Sequence, residues 1–265
     1  MKKKRLLGTD LEISCLGLGT VKFGRNEQVK YPTAFDLPDD RQILKLLDSA
    51  SESGINLLDT APAYGTSEIR LGELLGSRRD DWAIVTKAGE EFIDGKSVFD
   101  FSGPAITRSV ERTLTRLKTD RVEVVLLHSD GNDEDILRHS GAVEALQQLK
   151  SAGKIRAIGI STKTVSGGLL AVNQGLDAVM ITYNPWHRDE EPVLDLAAEQ
   201  GNCSVFMKKA FGSGWFGSSD EKDPVFTSLE FIFKHPGATS VITGTLNPKH
   251  LEENVAAMKR VFPDG

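Results

Sequence analysis

Short apolar, β-branched runs recur along the chain, beginning near Leu16, Ile55, Trp82, Val122, Ile155, Ala178, Cys203 and Thr239. Their mean separation is about 32 residues, close to the length of one strand–helix unit. Parallel strands buried on both faces read as nearly continuous apolar runs, and Val122–Leu127 does so with Glu123 alone breaking it. Between the runs the apolar positions change to a helical period. Ile43, Leu47 and Ala50 share a face, as do Ile106, Val110, Leu114 and Leu117, and later Leu251, Val255 and Met258. Gly54, Gly76, Gly153, Gly175 and Gly201 stand where each helix must stop, a few residues before the next strand. Eight such units in succession, with no long linker, predict an α/β fold in which residues 1–265 form one closed (β/α)8 TIM barrel domain.

The first residues do not fit that period. Lys4–Leu7 and Leu11–Ser14, separated by Gly8-Thr9-Asp10, predict an N-terminal β-hairpin ahead of the barrel. Two segments lack regular patterning, Lys22–Pro38 after the first strand and Gly212–Asp223 after the seventh. Both follow strand C-termini, the end of a barrel that carries its active-site loops.

Composition narrows the function classes. The 265 residues carry 32 Lys and Arg against 38 Asp and Glu, a net charge of −6. A mildly acidic chain is poorly suited to nucleic-acid phosphates or anionic membranes, so neither is expected as a partner. No stretch approaches the length of a membrane-spanning helix. The basic opening MKKKR is not followed by an apolar segment, so no secretory signal is expected. The two cysteines, Cys15 and Cys203, fit no metal or redox spacing. A globular cytoplasmic protein is the expectation.

Polar residues at strand C-termini point toward the site of such a barrel, and four stand together on three successive strands. Asp59 ends the second strand and Tyr64 follows it; Lys87 ends the third; His128 ends the fourth. The chemistry they permit is proton donation to a carbonyl oxygen. A phenol with a pKa of about 10 is a weak acid at neutral pH, and a neighbouring Lys87 cation favours its phenolate. Asp59 would hold Lys87, and His128 would orient the substrate oxygen beside Tyr64. An acid without a nucleophile needs an electron donor. The last unit, Thr243-Gly244-Thr245-Leu246-Asn247-Pro248-Lys249-His250, places a helix-capping Asn247 and a first-turn Pro248 where backbone N–H groups bind a phosphate.

With these residues the chain resembles the aldo-keto reductase family. The resemblance covers essentially its whole length: Gly8-Thr9-Asp10 through Leu16-Gly17-Leu18-Gly19-Thr20, Leu58-Asp59-Thr60-Ala61-Pro62-Ala63-Tyr64-Gly65, Thr86-Lys87, Leu127-His128, Gly159-Ile160-Ser161, Tyr183-Asn184 and Gly244-Thr245 through Asn254. It implies NAD(P)H-dependent interconversion of aldehydes or ketones with alcohols, the nicotinamide supplying hydride and Tyr64 the proton. It further implies cofactor contacts from Thr20, Asp59, Ser161, Thr162, Lys208, Lys209, Gly244, Thr245, His250 and Asn254, NADP(H) in preference to NAD(H), and a monomer. Thr162 and Met180 stand where the family usually has Asn and Gln on the carboxamide, Lys208 where many members stack an aromatic ring, and His250 where members preferring NADP usually have Arg. A regulatory NADPH-binding subunit with little turnover is the alternative; a barrel aldolase using Lys87 as a Schiff-base amine is a third reading.

Other features are read as structural. Gly212-Ser213-Gly214-Trp215-Phe216-Gly217 matches a dinucleotide fingerprint, but turn sequence follows it instead of a helix, so a loop over the cofactor is expected. Trp186, Trp215 and Phe216 are candidates for lining the substrate mouth. His139, His187 and His235 have no metal spacing and are expected at the surface, and no metal is expected. The acidic stretch Asp130–Asp135 reads as a solvated loop.

Overall fold

The structure, a computed structural model, describes residues 1–29, 34–212 and 223–263. It opens with the antiparallel strands β1 (Lys3–Arg5) and β2 (Glu12–Ser14). The barrel begins with β3 (Leu16–Gly19), followed by α1 (Val21–Gly24), α2 (Asp40–Glu52), β4 (Leu57–Asp59), a 3₁₀ turn (Pro62–Tyr64), α3 (Ser67–Leu75) and β5 (Ala83–Ala88). A second antiparallel pair, β6 (Glu90–Ile93) and β7 (Lys96–Phe99), then precedes α4 (Gly103–Leu117) and β8 (Val122–His128). Next come α5 (Asp133–His139), α6 (Ala142–Ser151), β9 (Ile155–Ser161), α7 (Val165–Asn173), β10 (Ala178–Thr182) and α8 (Glu191–Gln200). The last described elements are β11 (Ser204–Lys208), α9 (Pro224–Phe233), β12 (Ala238–Thr243) and α10 (Pro248–Val261). Eight parallel strands close on themselves in the order β3-β4-β5-β8-β9-β10-β11-β12, the predicted TIM barrel.

Strand side chains alternate between two faces, and that period of two builds two cores. Outward-facing residues such as Leu58, Ile84, Val125 and Leu127 pack under the helices with Ile43, Leu47, Ile106, Val110 and Leu114, the helical faces read from the sequence. Inward-facing Leu57, Val85, Val124, Leu126, Ala157, Met180 and Phe206 fill the barrel itself. Leu6 and Ile13 of the first hairpin join this inner cluster, so the hairpin closes one end of the barrel with apolar side chains. The helix-stopping glycines 54, 76, 153, 175 and 201 all take positive φ. Asp39 caps α2 reciprocally with Gln42, and Asn247 accepts from the Lys249 N–H at the start of α10.

The structure departs from the sequence reading at four places. The β6–β7 hairpin is an insertion the helical period obscured, although Asp94-Gly95, with φ of +48° and +75°, is a two-residue hairpin turn. The first irregular segment contains α1, a single helical turn. Asp133 is not solvated: it is buried, and its Oδ2 accepts from the Lys163 and Thr164 N–H groups and the Thr164 hydroxyl at 2.6–3.0 Å. It thereby fastens the loop after β8 to the start of α7. His235 is packed edge-on to Tyr183 and lies 3.1 Å from Asp195, while His139 and His187 are exposed.

Candidate active site

Two residues beyond the inner apolar layer, the same alternation delivers a ring of polar side chains to the C-terminal mouth. Leu57 is followed by Asp59, Val85 by Lys87, Leu126 by His128, Met180 by Thr182 and Phe206 by Lys208; Ser161 continues the series from Ala157 on β9. The core pattern and the site therefore share one cause.

Lys87 Nζ donates to Asp59 Oδ1 at 2.6 Å and to the Thr60 carbonyl at 3.0 Å, and both side chains of this ion pair are buried. The same ammonium stands 4.6 Å from the Tyr64 ring centroid, over its face. The Tyr64 hydroxyl makes a long 3.4 Å hydrogen bond to Asp59 Oδ2. Edge-on to the tyrosine lies His128, with ring centroids 6.3 Å apart. Four side chains from β4, its following turn, β5 and β8 thus converge. Tyr64 is held from behind by a close approach of two glycine segments. A Cβ on Gly65 (φ +62°) would stand 2.2 Å from the Gly24 carbonyl oxygen, and one on Gly24 would meet Ser67 N at the same distance.

Glu90 is a site residue that the sequence reading missed. It opens β6, and its Oε2 lies 2.7 Å from His128 Nδ1, without the in-line N–H direction of a regular hydrogen bond. Its carboxyl is held at about 2: burial raises it, but His128, the Ser97 hydroxyl and Arg25 together outweigh that cost. Burial lowers the His128 pKa and exceeds the opposing pull of Glu90, with the Lys87 and Lys208 charges acting in the same direction as burial. Arg25 knits the neighbouring loop, donating to the Glu27, Gln28 and Ala63 carbonyls with its guanidinium 3.6 Å from the Phe92 ring centroid.

The remaining candidates divide by what they already hold. Thr20 is fully buried, its hydroxyl donating to the Asp59 carbonyl and meeting Ser67, so it braces Asp59 from within. Ser161 Oγ accepts from Lys208 Nζ at 3.0 Å. The Thr162 hydroxyl is spent on Glu190 Oε1, while its carbonyl accepts from Lys208 at 2.6 Å. Met180 belongs to the inner apolar cluster. Desolvation pulls the Lys208 amine down to about 8. Lys209, at φ +56°, directs its carbonyl to the Asn184 amide. At the β12–α10 junction Gly244 is exposed and the Thr245 hydroxyl accepts from Asn247 N. In the first turn of α10, Pro248 has no N–H and that of Lys249 is taken by Asn247; the His250 N–H has no partner among the described residues. Asn254, one turn on, is buried with no hydrogen bond to its amide. Trp186 is exposed, its N–H donating to Asn184 Oδ1. Trp215 and Phe216 lie outside the described residues.

This donor set suits a nicotinamide dinucleotide. The His250 N–H and the Asn254 amide are uncommitted on one face of α10, and polar groups ring the cavity mouth. A barrel with a phenol, an ammonium and an imidazole converging at its C-terminal mouth defines the class of barrel oxidoreductases.

Comparison with known proteins gives the family. The Aldo/keto reductase family model matches residues 15–228. The oxidoreductase YqkF of Bacillus subtilis is 30% identical, with 97% of this chain and 91% of that protein aligned. The NADH-specific methylglyoxal reductase of Escherichia coli is 27% identical over 97% of this chain and 94% of its own. The solved structure of PA4992 from Pseudomonas aeruginosa, assigned to the aldo-keto reductases, superposes with a TM-score of 0.88 at 49% identity, covering 98% and 95% of the two chains. The chain belongs to the aldo/keto reductase family and is an NAD(P)H-dependent oxidoreductase acting on small carbonyl compounds or the corresponding alcohols. Among the described residues no helix is long and apolar enough to cross a membrane.

Proposed function

We propose that this protein reduces aldehyde or ketone carbonyls, or oxidises the corresponding alcohols, with Tyr64 as the proton donor and acceptor. The observation that carries the reading is the buried Lys87–Asp59 pair at 2.6 Å, its ammonium over the face of Tyr64 and its second carboxylate oxygen at the phenol hydroxyl. The bound nicotinamide supplies or takes up the hydride at the carbonyl carbon. Tyr64 gives its proton to the carbonyl oxygen, and the Lys87 cation stabilises the phenolate left behind. Asp59 keeps Lys87 charged and aimed, and His128, with Glu90 behind it, orients the substrate oxygen.

Ser161, Lys208, Gly244, His250 and Asn254 are the proposed cofactor contacts, with Lys209 and Thr245 flanking them. Thr20 and Thr162 act through the residues they brace. Trp186, and with it Trp215 and Phe216, is proposed to border the substrate. NADPH is proposed as the preferred cofactor, since Lys249 and His250 present basic groups at the exposed start of α10; NADH is accepted as well. We read residues 1–265 as one domain acting as a cytoplasmic monomer. The test is oxidation of NADPH and of NADH with a reactive aldehyde such as nitrobenzaldehyde, for the wild type and Tyr64→Phe. Loss of about 10²-fold or more in kcat with cofactor affinity retained supports the assignment, since general acid catalysis contributes on that order. Equal turnover by the phenylalanine variant refutes it.

A further inference from the structure

In the inward-facing ring at the barrel mouth, Lys208 carries a charge that the proton transfer does not use. It ends β11 in register with Thr182, and β11 stands opposite β5, the strand of Lys87, in the eight-strand circle. Its ammonium reaches past β10 to Ser161 Oγ and the Thr162 carbonyl, and Ser161 is the register partner of His128. The cation therefore faces the tetrad's cavity from the far wall. Two of its three N–H groups are engaged, and no carboxylate forms an ion pair with it among the described residues. The charges that act on it are Glu190 and Asp133 on one side of the balance, and Lys209 and Lys87 on the other. His128 also feels it.

A nicotinamide ring is cationic when oxidised and neutral when reduced. A cofactor phosphate held at the start of α10 and a ring reaching toward Tyr64 must pass over the β11–β12 side of the mouth, where Lys208 stands. We infer that the Lys208 ammonium makes this site discriminate between the two redox forms of its cofactor, binding the reduced form and repelling the oxidised one. The inference rests on the cofactor placement proposed above. It gives Lys208 a role that an aromatic or aliphatic side chain cannot fill, because only a charge distinguishes rings of nearly identical shape. Desolvation brings the amine to about 8, so the discrimination weakens in mildly alkaline solution, where the cation is lost.

The experiment is equilibrium binding to the purified protein. NADPH is titrated by its fluorescence and NADP⁺ by displacement of bound NADPH, for the wild type, Lys208→Met and Lys208→Arg. The quantity read is the ratio of the two dissociation constants, oxidised over reduced. Contributions of His250 to phosphate affinity are common to both forms and cancel. For one added charge acting through a partly solvated site, the ratio should fall on the order of tenfold in Lys208→Met and be kept in Lys208→Arg. In the wild type it should fall between about pH 6.5 and about pH 9.5, the range across which a lysine with a depressed pKa discharges, and stay level in Lys208→Met. This second comparison needs only the native protein, so a methionine variant that does not fold leaves the inference open to refutation. Normal binding of both nucleotides with an unchanged ratio overturns the inference alone. Binding of neither nucleotide by the wild type overturns the cofactor site and the inference with it.

Discussion

Glu90 Oε2 lies 2.7 Å from His128 Nδ1, which ties the active-site imidazole to a hairpin inserted after β5 rather than to the barrel wall. At neutral pH burial favours the uncharged imidazole. The carboxylate then biases the remaining ring proton toward Nδ1, leaving Nε2 for the substrate side. Glu90→Gln keeps the shape and removes the charge. We expect kcat to fall about tenfold with KM little changed, the weight of one hydrogen bond to a charged group. A matching displacement of the His128 limb in the pH–rate profile would separate this positioning effect from a loss of folding.

The same pair sets an acid-stability window. The Glu90 carboxyl sits at about 2 in the folded protein, below its ordinary unfolded range of about 4.3. A depressed carboxylate contributes stability above its unfolded pKa and loses it as pH falls through the folded value. In that window His128 is protonated, so the attraction is at its strongest where Glu90 titrates. Urea unfolding of the wild type and Glu90→Gln should differ most near pH 5, and the two curves should converge as pH approaches 2.

Asp59 and Lys87 form a pair that cannot be halved without cost. Asp59→Leu leaves the Lys87 ammonium buried without its counter-charge, and breaking such pairs costs about 3–5 kcal/mol. We expect a lower melting temperature and little turnover from this variant. Lys87→Met should lose turnover by about 10²-fold or more, because it removes the charge that stabilises the tyrosinate. Calorimetry and steady-state kinetics on both variants check this, and full activity in Lys87→Met would refute the role assigned to the amine.

His250→Arg tests the phosphate site. Arginine grips a phosphate with two parallel N–H donors and keeps its charge at every accessible pH. The ratio of NADPH to NADH efficiency should rise about tenfold, the equivalent of one charge-assisted hydrogen bond. An unchanged ratio would place the phosphate elsewhere.

Glu123, the single acidic residue inside the apolar run of β8, is buried against Arg79, which it meets at 2.9 Å, and accepts the Ile84 N–H at 2.7 Å. Arg79 also donates to the Trp82 and Arg121 carbonyls. Arg79→Met should destabilise the protein by about 3–5 kcal/mol while leaving cofactor affinity intact. Thermal unfolding and NADPH titration measure the two quantities independently.

Much of the architecture was legible in the chain because local patterning and global fold agree. The spacing of the apolar runs, the helical faces and the stop glycines each require the barrel, and strand alternation then carries Asp59, Lys87 and His128 to its mouth as it carries Leu57, Val85 and Leu126 to its core. The glutamate behind His128 was not legible. Glu90 is 38 residues away along the chain, within a stretch of mixed polarity, and only the Asp94-Gly95 turn hints that it lies on a hairpin. Asp133 was similarly hidden, because an acidic run reads as solvated until a neighbouring loop brings backbone N–H groups to one of its carboxylates.

Sequence alone thus determined the barrel, its strand ends and the tyrosine–lysine–aspartate–histidine set, because each follows from a period or a motif contained within one strand–helix unit. Only the tertiary structure decided which hydroxyls are already spent, that Lys208 binds Ser161 and Thr162 together, and that Glu90 stands behind His128. Those relationships join residues from different units. Their distances are set by how strands stagger and loops pack around the closed barrel, which no local pattern encodes.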